Sequence, residues 1–404
     1  MAAQSPTLLG KPLLARLLLL AILITSVTLL LSLVDQQQVR LPTNDFTMYW
    51  SSAKLLLSGA NPYDPAGLAN FQNQETSQDT GVVLMYYPPW SMLWIAPFGL
   101  LKHDISQVVW LLIHTAVFFY CTHQLWLHIG GQTRYRWAAW LVAFTFGPTF
   151  AALGYTGQIT PLMLLGFSLF EWNINRPEKD WLGGIFILLV GIKPQVFHLF
   201  IVLFLIWVLQ QRRWILLISA TITMAVATLL SMLFDHQIIS HFMQNLNINT
   251  PTAWSTPTLG TYLRYYLGIE RFEVQYIPAF LSSILAIFYW WRKRESWDWQ
   301  TSLPWILFVS IITAPYTWSY DFTPLIIPLL MGFSWILPRI SYPVEIILAG
   351  IYGLINSVYW WMHLKYSDFY FIWYAPVLFI WFIMAWRISL RKIINRDSAS
   401  PRIL

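Results

Sequence analysis

The carboxylate of Asp45 is the group in this sequence whose position best suits acid–base chemistry. It lies in the first turn of a helix that the pattern predicts over 44–58, shortly after a long apolar run. In one interpretation Asp45 only complements the partial positive charge of the helix N-terminus. In the other it is a general base at the boundary of water and lipid. The helix N-terminus keeps such a carboxylate ionised, which helps it to accept a proton but limits its basicity.

Lys193 is the most distinctive cation, because it interrupts the otherwise apolar stretch 184–195. Ionisable residues among apolar spans are costly and often functional. One interpretation is that the side chain extends along apolar surface and places its charge at the outer interface. The functional interpretation is that the cation binds a lipid-linked phosphate at the level of the outer headgroups.

The segment 314–321 places Tyr316, Trp318, Tyr320 and Asp321 between two apolar runs. An aromatic belt at the membrane surface explains the three rings without any function. It does not explain Asp321, which lies where the next apolar run begins.

Two other polar positions occur in regions predicted to lie outside the membrane. The turn 154–158 ends in Gln158, and its glycines also suit a simple tight reversal of the chain. Arg264 lies in the segment 257–264, for which a plain interfacial helix is the simplest interpretation.

Several kinds of site are excluded by the absence of their motifs. The sequence has no HExxH, Walker P-loop, GxGxxG or GxSxG motif, and two histidine pairs are spaced five apart, which suits metal ligation on one helix poorly. The sole cysteine, Cys121, cannot form an internal disulfide. We therefore expect no nucleotide, dinucleotide or metal cofactor.

The elements that position these residues are predicted to be membrane helices. Only 10% of the 404 residues are charged and 57% are hydrophobic, whereas soluble domains carry about 25% charged residues. A span needs about 20 residues. We expect an all-α polytopic protein of about twelve spans forming a single domain over 1–404. The predicted spans are 13–34, 107–129, 137–153, 159–173, 181–193, 195–211, 214–235, 276–291, 300–315, 321–337, 343–361 and 369–387.

The segment 88–101 decides the topology. If it enters the outer leaflet and returns, 17 of the 24 basic residues lie inside and 7 outside, as the positive-inside rule requires. We therefore predict a re-entrant segment, with both termini in the cytoplasm and the chain in the plasma membrane. The basic residues then report orientation and not nucleic-acid binding. The large outer loops are 35–106 and 236–275.

One amphipathic helix is predicted in the first of these loops. Its apolar residues recur at helical spacing, and we expect that face to lie on the bilayer. They are Phe46, Tyr49, Trp50, Ala53 and Leu57.

The segment 44–64 resembles the opening of glycosyltransferase family 87, with Asp45-Phe46, a following Tyr, an Ala- and Leu-rich stretch ending in Gly59, and Asn61-Pro62-Tyr63. The resemblance extends over 44–321 in family order. The later matches are Tyr87-Pro88-Pro89, Gly157-Gln158, Ile192-Lys193-Pro194 and the turn from Pro315 to Asp321. Some family members have histidine in that last turn, where this chain has Ser319-Tyr320-Asp321, so the resemblance leaves the acceptor open.

This resemblance implies the GT-C fold and an inverting transfer of a hexose, mannose or a related sugar, from a polyprenyl-phosphate donor at the extracytoplasmic face. By resemblance Asp45 deprotonates the hydroxyl of a glycan or glycolipid acceptor, and Lys193, assisted by Arg264, steadies the leaving phosphate. No metal need be required. The remaining implied substrate-binding residues are Tyr87, Gln158, Tyr316, Trp318 and Asp321.

Two alternatives stay open at this point. A transporter or lipid flippase also has many spans, although such proteins usually place polar sites near the bilayer midplane, often between inverted repeats. Here the distinctive polar residues gather at one predicted face and no repeat is evident. A non-catalytic family member that only binds a lipid-linked sugar is the other alternative.

Overall fold

The computed structural model describes residues 44–75, 81–249, 254–268 and 270–397, and these ranges are helical without any strand. Their α-helices are α1 (Asn44–Leu57), α2 (Pro65–Glu75), α3 (Met92–Ile95), α4 (His103–His128), α5 (Arg136–Thr145), α6 (Gly147–Phe150), α7 (Thr160–Asn173), α8 (Gly183–Val190), α9 (His198–Gln210), α10 (Trp214–Met232), α11 (Ile238–Ile248), α12 (Leu259–Leu267), α13 (Ile277–Lys293), α14 (Trp299–Thr313), α15 (Ile326–Ile336), α16 (Tyr342–His363) and α17 (Tyr374–Asp397). The predicted first span, 13–34, lies outside the described residues.

Six helical segments in the described part of the chain are long and apolar enough to cross a membrane. They are His103–His128, Trp214–Met232, Phe272–Ser296, Ser319–Arg339, Pro343–His363 and Asp368–Ser389. A seventh arises if Thr133–Thr145 and Gly147–Gly154, which meet at a 51° bend, form one broken span. The described part of the chain is therefore all-helical and suits a membrane protein, but the expected twelve spans are not confirmed.

The shortfall comes from apolar runs whose helices are short. The predicted span 159–173 contains the 14-residue α7, and 181–193 contains the eight-residue α8. At 1.5 Å per residue, α7 is about 21 Å long, less than the hydrocarbon thickness of about 30 Å. Nearly all of α7 is buried inside the protein. Its apolar composition therefore reflects the protein core and not contact with lipid.

The runs 195–211 and 300–315 also form short helices. They correspond to α9, with 13 residues of which six are buried, and to α14, with 15 residues. Helices of this length that are apolar throughout are typical of a buried core, and the sequence pattern alone does not separate them from spans.

The segment 88–101 folds into three short pieces, namely Pro89–Ser91, α3 and Ala96–Leu100. None of these is long enough to cross a bilayer. The structure is thus compatible with the predicted re-entrant segment, while its depth in the membrane stays a prediction.

The expectation that the apolar face of α1 lies on the bilayer is wrong. Phe46, Tyr49 and Ala53 are fully buried, and α1 packs against the segment Ala96–Leu100. A Cβ atom at Gly99 would lie 2.8 Å from the Ala53 backbone, so the two segments are in close contact. Helical periodicity shows that one face is covered, but it does not show whether lipid or protein covers it.

The segment that carries Asp321 stands at the centre of the bundle. In the span Ser319–Arg339, 83% of the most apolar window is buried inside the protein, against 22% for α10 and 17% for Phe272–Ser296. Its helix α15 packs against α17, α4 and α5. A carboxylate at the start of such a segment is enclosed by protein, so it needs a partner.

Candidate active site

A cavity of about 500 Å³ lies between α1, the non-helical segment 82–87 and the residues that precede α15. Its lining is Asp45, Met48, Val82, Val83, Leu84, Tyr86, Tyr87, Thr156, Gln158, Ile192, Lys193, Gln195, Trp254, Tyr316, Thr317, Trp318, Tyr320 and Asp321. Seven of the eight site residues predicted from the sequence are in this list; Arg264 is not.

Gly157 brings Asp45 and Gln158 together. Its φ of +68° lies in the left-handed region, and a Cβ atom there would meet the Cβ of Phe46 at 2.7 Å. A glycine avoids both the backbone strain and the clash. The indole Nε1 of Trp110 donates to the Gly157 carbonyl at 2.8 Å and holds the turn in place. The start of α1 can therefore approach the turn closely enough for a direct hydrogen bond.

The amide of Gln158 connects the polar groups of the cavity. Its Nε2 donates to Asp45 Oδ2 at 2.6 Å. Its Oε1 lies 3.0 Å from the hydroxyls of both Tyr49 and Tyr87, and accepts from Lys193 Nζ at 3.3 Å. Burial raises the pKa of both tyrosines well above its usual value, so these hydroxyls stay protonated. One side chain thus joins the predicted base to the predicted phosphate-binding cation.

Lys193 forms a buried ion pair with Asp321. Its Nζ donates to Asp321 Oδ1 at 2.6 Å, and both side chains are less than 10% exposed. The same Nζ lies 5.3 Å and 5.0 Å from the ring centres of Tyr87 and Tyr320. Asp321 Oδ2 also accepts from the backbone N–H of Trp318 at 3.1 Å. The charge of Lys193 is therefore held at the cavity wall by a carboxylate and two aromatic faces.

The basicity of Asp45 is higher than the sequence predicts. Burial raises its pKa to about 6, although the hydrogen bond from Gln158 and the charge of Lys193 act to lower it; the charge of Asp321 acts to raise it further. Asp45 lies in the first turn of α1, as predicted, and burial is the largest influence on its pKa. Asp45 is therefore mostly ionised at pH 7 and still basic enough to accept a proton.

Aromatic rings form the wall that faces these polar groups. The ring of Trp254 lies 5.6 Å from that of Tyr316 and 5.8 Å from that of Trp318, and Tyr86 packs against Trp254 at 4.8 Å. Burial raises the pKa of Tyr316 to about 12, so its hydroxyl remains a hydrogen-bond donor. Such a wall can bind the faces of a sugar ring while hydroxyl groups bind its edges.

Arg264 lies behind this wall and not in it. Its guanidinium is buried, and Nη2 donates to the carbonyl of Trp254 at 2.7 Å. Nε and Nη1 make no hydrogen bond to any described residue. In this structure Arg264 therefore acts on the cavity through Trp254.

The non-helical segment 82–87 is held by side chains from three parts of the chain. Gln72 makes two hydrogen bonds of 2.9 Å with the backbone of Val83. Asn245 donates to the Met85 carbonyl at 2.8 Å, and the Tyr63 hydroxyl donates to the Tyr87 carbonyl at 2.9 Å. The Asn61-Pro62-Tyr63 motif thus has a structural explanation: it fixes the backbone at Tyr87.

Sequence reasoning missed Tyr49, Tyr86 and Trp254 as residues of the site. Tyr49 follows Asp45 by four residues, which places both on the same side of α1, and this spacing could have shown it. Tyr86 directly precedes the Tyr87-Pro88-Pro89 motif, and this position could have shown it. Trp254 lies in a non-helical segment with no motif around it, so no signal distinguishes it from other aromatic residues of the chain.

One group of possible metal ligands occurs among the described residues, away from the cavity lining. Ligand atoms of Glu75, His103 and Asp104 lie within 4.8 Å of one another. The two carboxylates are exposed, and His103 Nε2 already contacts the hydroxyl of Thr47 at 3.0 Å. We assign no metal to this group.

No curated protein and no solved structure matches this chain. The model of a protein family, glycosyltransferase family 87, matches residues 86–317, which is more than half of the 404 residues. Tyr87, Gln158, Lys193 and Tyr316 of the cavity fall inside this range, and Asp45 precedes it. The chain therefore belongs to glycosyltransferase family 87 and is a membrane glycosyltransferase.

Proposed function

We propose that this glycosyltransferase moves a hexose, mannose or a related sugar, from a polyprenyl phosphate to an acceptor hydroxyl at the extracytoplasmic face of the plasma membrane. The observation that carries the proposal is the link from Asp45 through Gln158 to Lys193 in one cavity. A base and a cation that line the same cavity are what a displacement at a sugar phosphate needs. One group removes a proton from the nucleophile, and the other stabilises the charge of the leaving group.

The reaction is a single displacement. The acceptor oxygen forms a bond to the anomeric carbon while its proton passes to a carboxylate oxygen of Asp45. The bond between that carbon and the phosphate oxygen breaks, and the electron pair stays with the polyprenyl phosphate. Lys193 stabilises this developing charge, and attack from the opposite face inverts the anomeric configuration. Proton, electron pair and leaving group are all accounted for without a further reactant.

The lining around Lys193 favours a lipid phosphate over a nucleotide sugar. Ile192 is its chain neighbour, and Val82 and Leu84 also line the cavity. Apolar side chains beside a cation suit the first isoprene units behind the phosphate. We assign the sugar to the wall of Trp254, Tyr316 and Trp318, with the acceptor approaching from the side of Asp45.

Family membership supports an enzyme over the transporter or flippase considered above. It leaves the non-catalytic alternative, in which the same cavity only binds a lipid-linked sugar. Activity measurements separate these two.

The test uses the purified protein in lipid nanodiscs with a membrane glycolipid extract as acceptor. Radiolabelled mannosyl, glucosyl and arabinosyl polyprenyl phosphates are offered in turn, and a nucleotide-linked mannose is the control donor. The anomeric configuration of the product is read by NMR.

We expect transfer from at least one of the hexosyl polyprenyl phosphates, inversion at the anomeric carbon, and no transfer from the nucleotide sugar. Transfer from the nucleotide sugar, or retention of configuration, would contradict the proposal. Tight binding of a polyprenyl-phosphate sugar without any transfer would identify the non-catalytic alternative.

A further inference from the structure

The side-chain amide oxygen of Gln158 accepts all of its hydrogen bonds from protein groups. The side chain is 2% exposed. Oε1 accepts from the Tyr87 hydroxyl at 3.0 Å and from Lys193 Nζ at 3.3 Å. The Tyr49 hydroxyl also lies 3.0 Å from Oε1, but it donates its hydrogen to the Tyr87 hydroxyl at 2.6 Å. An amide oxygen has two lone pairs, and the nitrogen has two hydrogens. The oxygen therefore has no capacity left for a substrate hydroxyl, and one hydrogen of Nε2 is already given to Asp45.

This arrangement differs from the role that the family resemblance implies for Gln158, which is substrate binding. A residue that binds a sugar should keep donors or acceptors directed into the cavity. Gln158 instead directs its oxygen at the cation Lys193 and one of its two N–H hydrogens at the base Asp45. These come from separate parts of the chain, since Asp45 is 113 residues and Lys193 is 35 residues away in sequence.

We propose that Gln158 is a positioning residue, which orients the Asp45 carboxylate and links it to Lys193 through a single amide. The inference rests on the proposed function, because it assigns Gln158 to the same reaction. Gln158 touches neither reacting atom; it acts through Asp45 and Lys193.

The proposal makes a specific statement about pH dependence. Gln158 donates to the charged form of Asp45, so its hydrogen bond favours ionisation and lowers the pKa of Asp45. Removing that bond must raise the pKa, and activity must then begin to rise at a higher pH. The other groups around Asp45 are Lys193 near the end of α8, Asp321 and Tyr320 before α15, Tyr49 on α1 and Tyr87 on the segment 82–87. All of these remain in the variants below.

Two variants separate the hydrogen bond from the amide nitrogen to Asp45 from the contacts of the amide oxygen. Gln158→Leu removes both the hydrogen bond and these contacts. Gln158→Glu has nearly the same shape and keeps an acceptor for Tyr49, Tyr87 and Lys193, but it places a second carboxylate against Asp45 in place of a donor. The matched control is Gln195→Leu, the same change at the other glutamine of the cavity lining.

The readout is the pH profile of kcat/KM, which reports ionisations of the free enzyme. We expect the acid limb of Gln158→Leu to move up by about one pH unit, the size of a lost hydrogen bond to a charged group. We expect kcat to fall about 10- to 100-fold, a part of what a general base contributes. In Gln158→Glu the limb moves at least as far, because neighbouring carboxylates resist joint ionisation, while the KM for the donor stays within about threefold. In Gln195→Leu the limb stays where it is in the wild type, whatever the rate.

An unmoved acid limb in Gln158→Glu, with a raised KM for donor or acceptor, would overturn the proposal and return Gln158 to substrate binding. If Gln158→Leu does not fold, Gln158→Glu alone tests the proposal, because the glutamate side chain has nearly the same shape as glutamine. Failure of the proposed function would look different. In that case the wild type itself transfers no sugar, or shows no limb that depends on Asp45.

Discussion

The ammonium of Lys193 and a carboxylate oxygen of Asp321 lie 2.6 Å apart, although 128 residues separate them in sequence. The pair ties the turn after α8 to the first residues of the segment that leads into α15. Because both side chains are buried, each neutralises a charge that would be costly alone. The contact therefore serves the fold, and it also fixes the only cation that lines the cavity among the described residues.

Breaking this pair from one side should be more harmful to stability than removing both charges. We expect Lys193→Met and Asp321→Asn each to lower the free energy of unfolding by about 3–5 kcal/mol, because each leaves one buried polar partner unpaired. The double variant Lys193→Met/Asp321→Asn should recover much of this loss. Thermal unfolding in detergent measures all three.

Sugar transfer should not recover with stability. We expect the double variant to fold and to remain at least about 100-fold less active, since it has no charge to stabilise the leaving phosphate. A stable double variant with near wild-type activity would show that Lys193 is structural alone.

The pH dependence of transfer follows from Asp45. Burial raises the pKa of its carboxyl to about 6, so the fraction in the basic, ionised form grows as the pH rises through that value. We expect activity to fall about tenfold for each unit below pH 5 and to level off above pH 7. An activity profile that is flat between pH 4.5 and 7, with folding intact, would contradict this assignment.

Gly157 offers a test of how the site is assembled. Gly157→Ala places a methyl group against Phe46 and requires a φ of +68° from a residue that disfavours it. We expect a loss of about 1–3 kcal/mol of stability and a larger relative loss of activity, because Gln158 is then displaced from Asp45.

The control for Gly157 is three residues away. A Cβ atom at Gly154 meets no atom within 4 Å, and its φ is not in the left-handed region. Gly154→Ala should leave both stability and activity near the wild-type values. Equal effects of the two substitutions would argue that the turn as a whole, and not the contact with Phe46, is what matters.

The topology is tested by cysteine labelling. Cys121 is fully buried and should not react. If 88–101 does not cross the membrane, a membrane-impermeant maleimide added to intact cells labels Asp104→Cys and spares Arg134→Cys, which lies beyond the single span His103–His128 and reacts only after permeabilisation. Both native side chains are exposed. The reverse pattern would mean that 88–101 spans.

The residues that line the cavity are more predictable from the sequence than the contacts between them. Asp45, Lys193 and Asp321 are noticeable because each is an ionisable residue beside long apolar runs. That reasoning identifies costly residues, but it does not say which of them meet. The contacts of Lys193 with Asp321 and of Gln158 with Asp45 depend on packing between segments that are distant in the chain. Such packing cannot be predicted from the residue pattern of a single sequence.

The fold shows the same limit. The helix containing Asp45 was predicted over 44–58 and is observed over Asn44–Leu57, because periodicity and the residues that end it are local signals. What covers its apolar face is not local, and protein covers it where lipid was expected. The count of twelve spans is not confirmed for a related reason, since buried core helices such as α7 are as apolar as helices in lipid. The GT-C fold and the single domain over 1–404 stay predictions.

The central claim, that Asp45 is the catalytic base, is tested most directly by comparing Asp45→Asn with Asp104→Asn in the transfer assay. Both aspartates lie in the first turn of a helix, so both substitutions remove a charge that favours the helix dipole. Asp104 is 94% exposed and is not part of the cavity lining. We predict that Asp45→Asn folds and binds donor but loses transfer by a factor of at least about 100, while Asp104→Asn transfers at the wild-type rate. Equal transfer by Asp45→Asn and the wild type, at equal folding, would contradict the account.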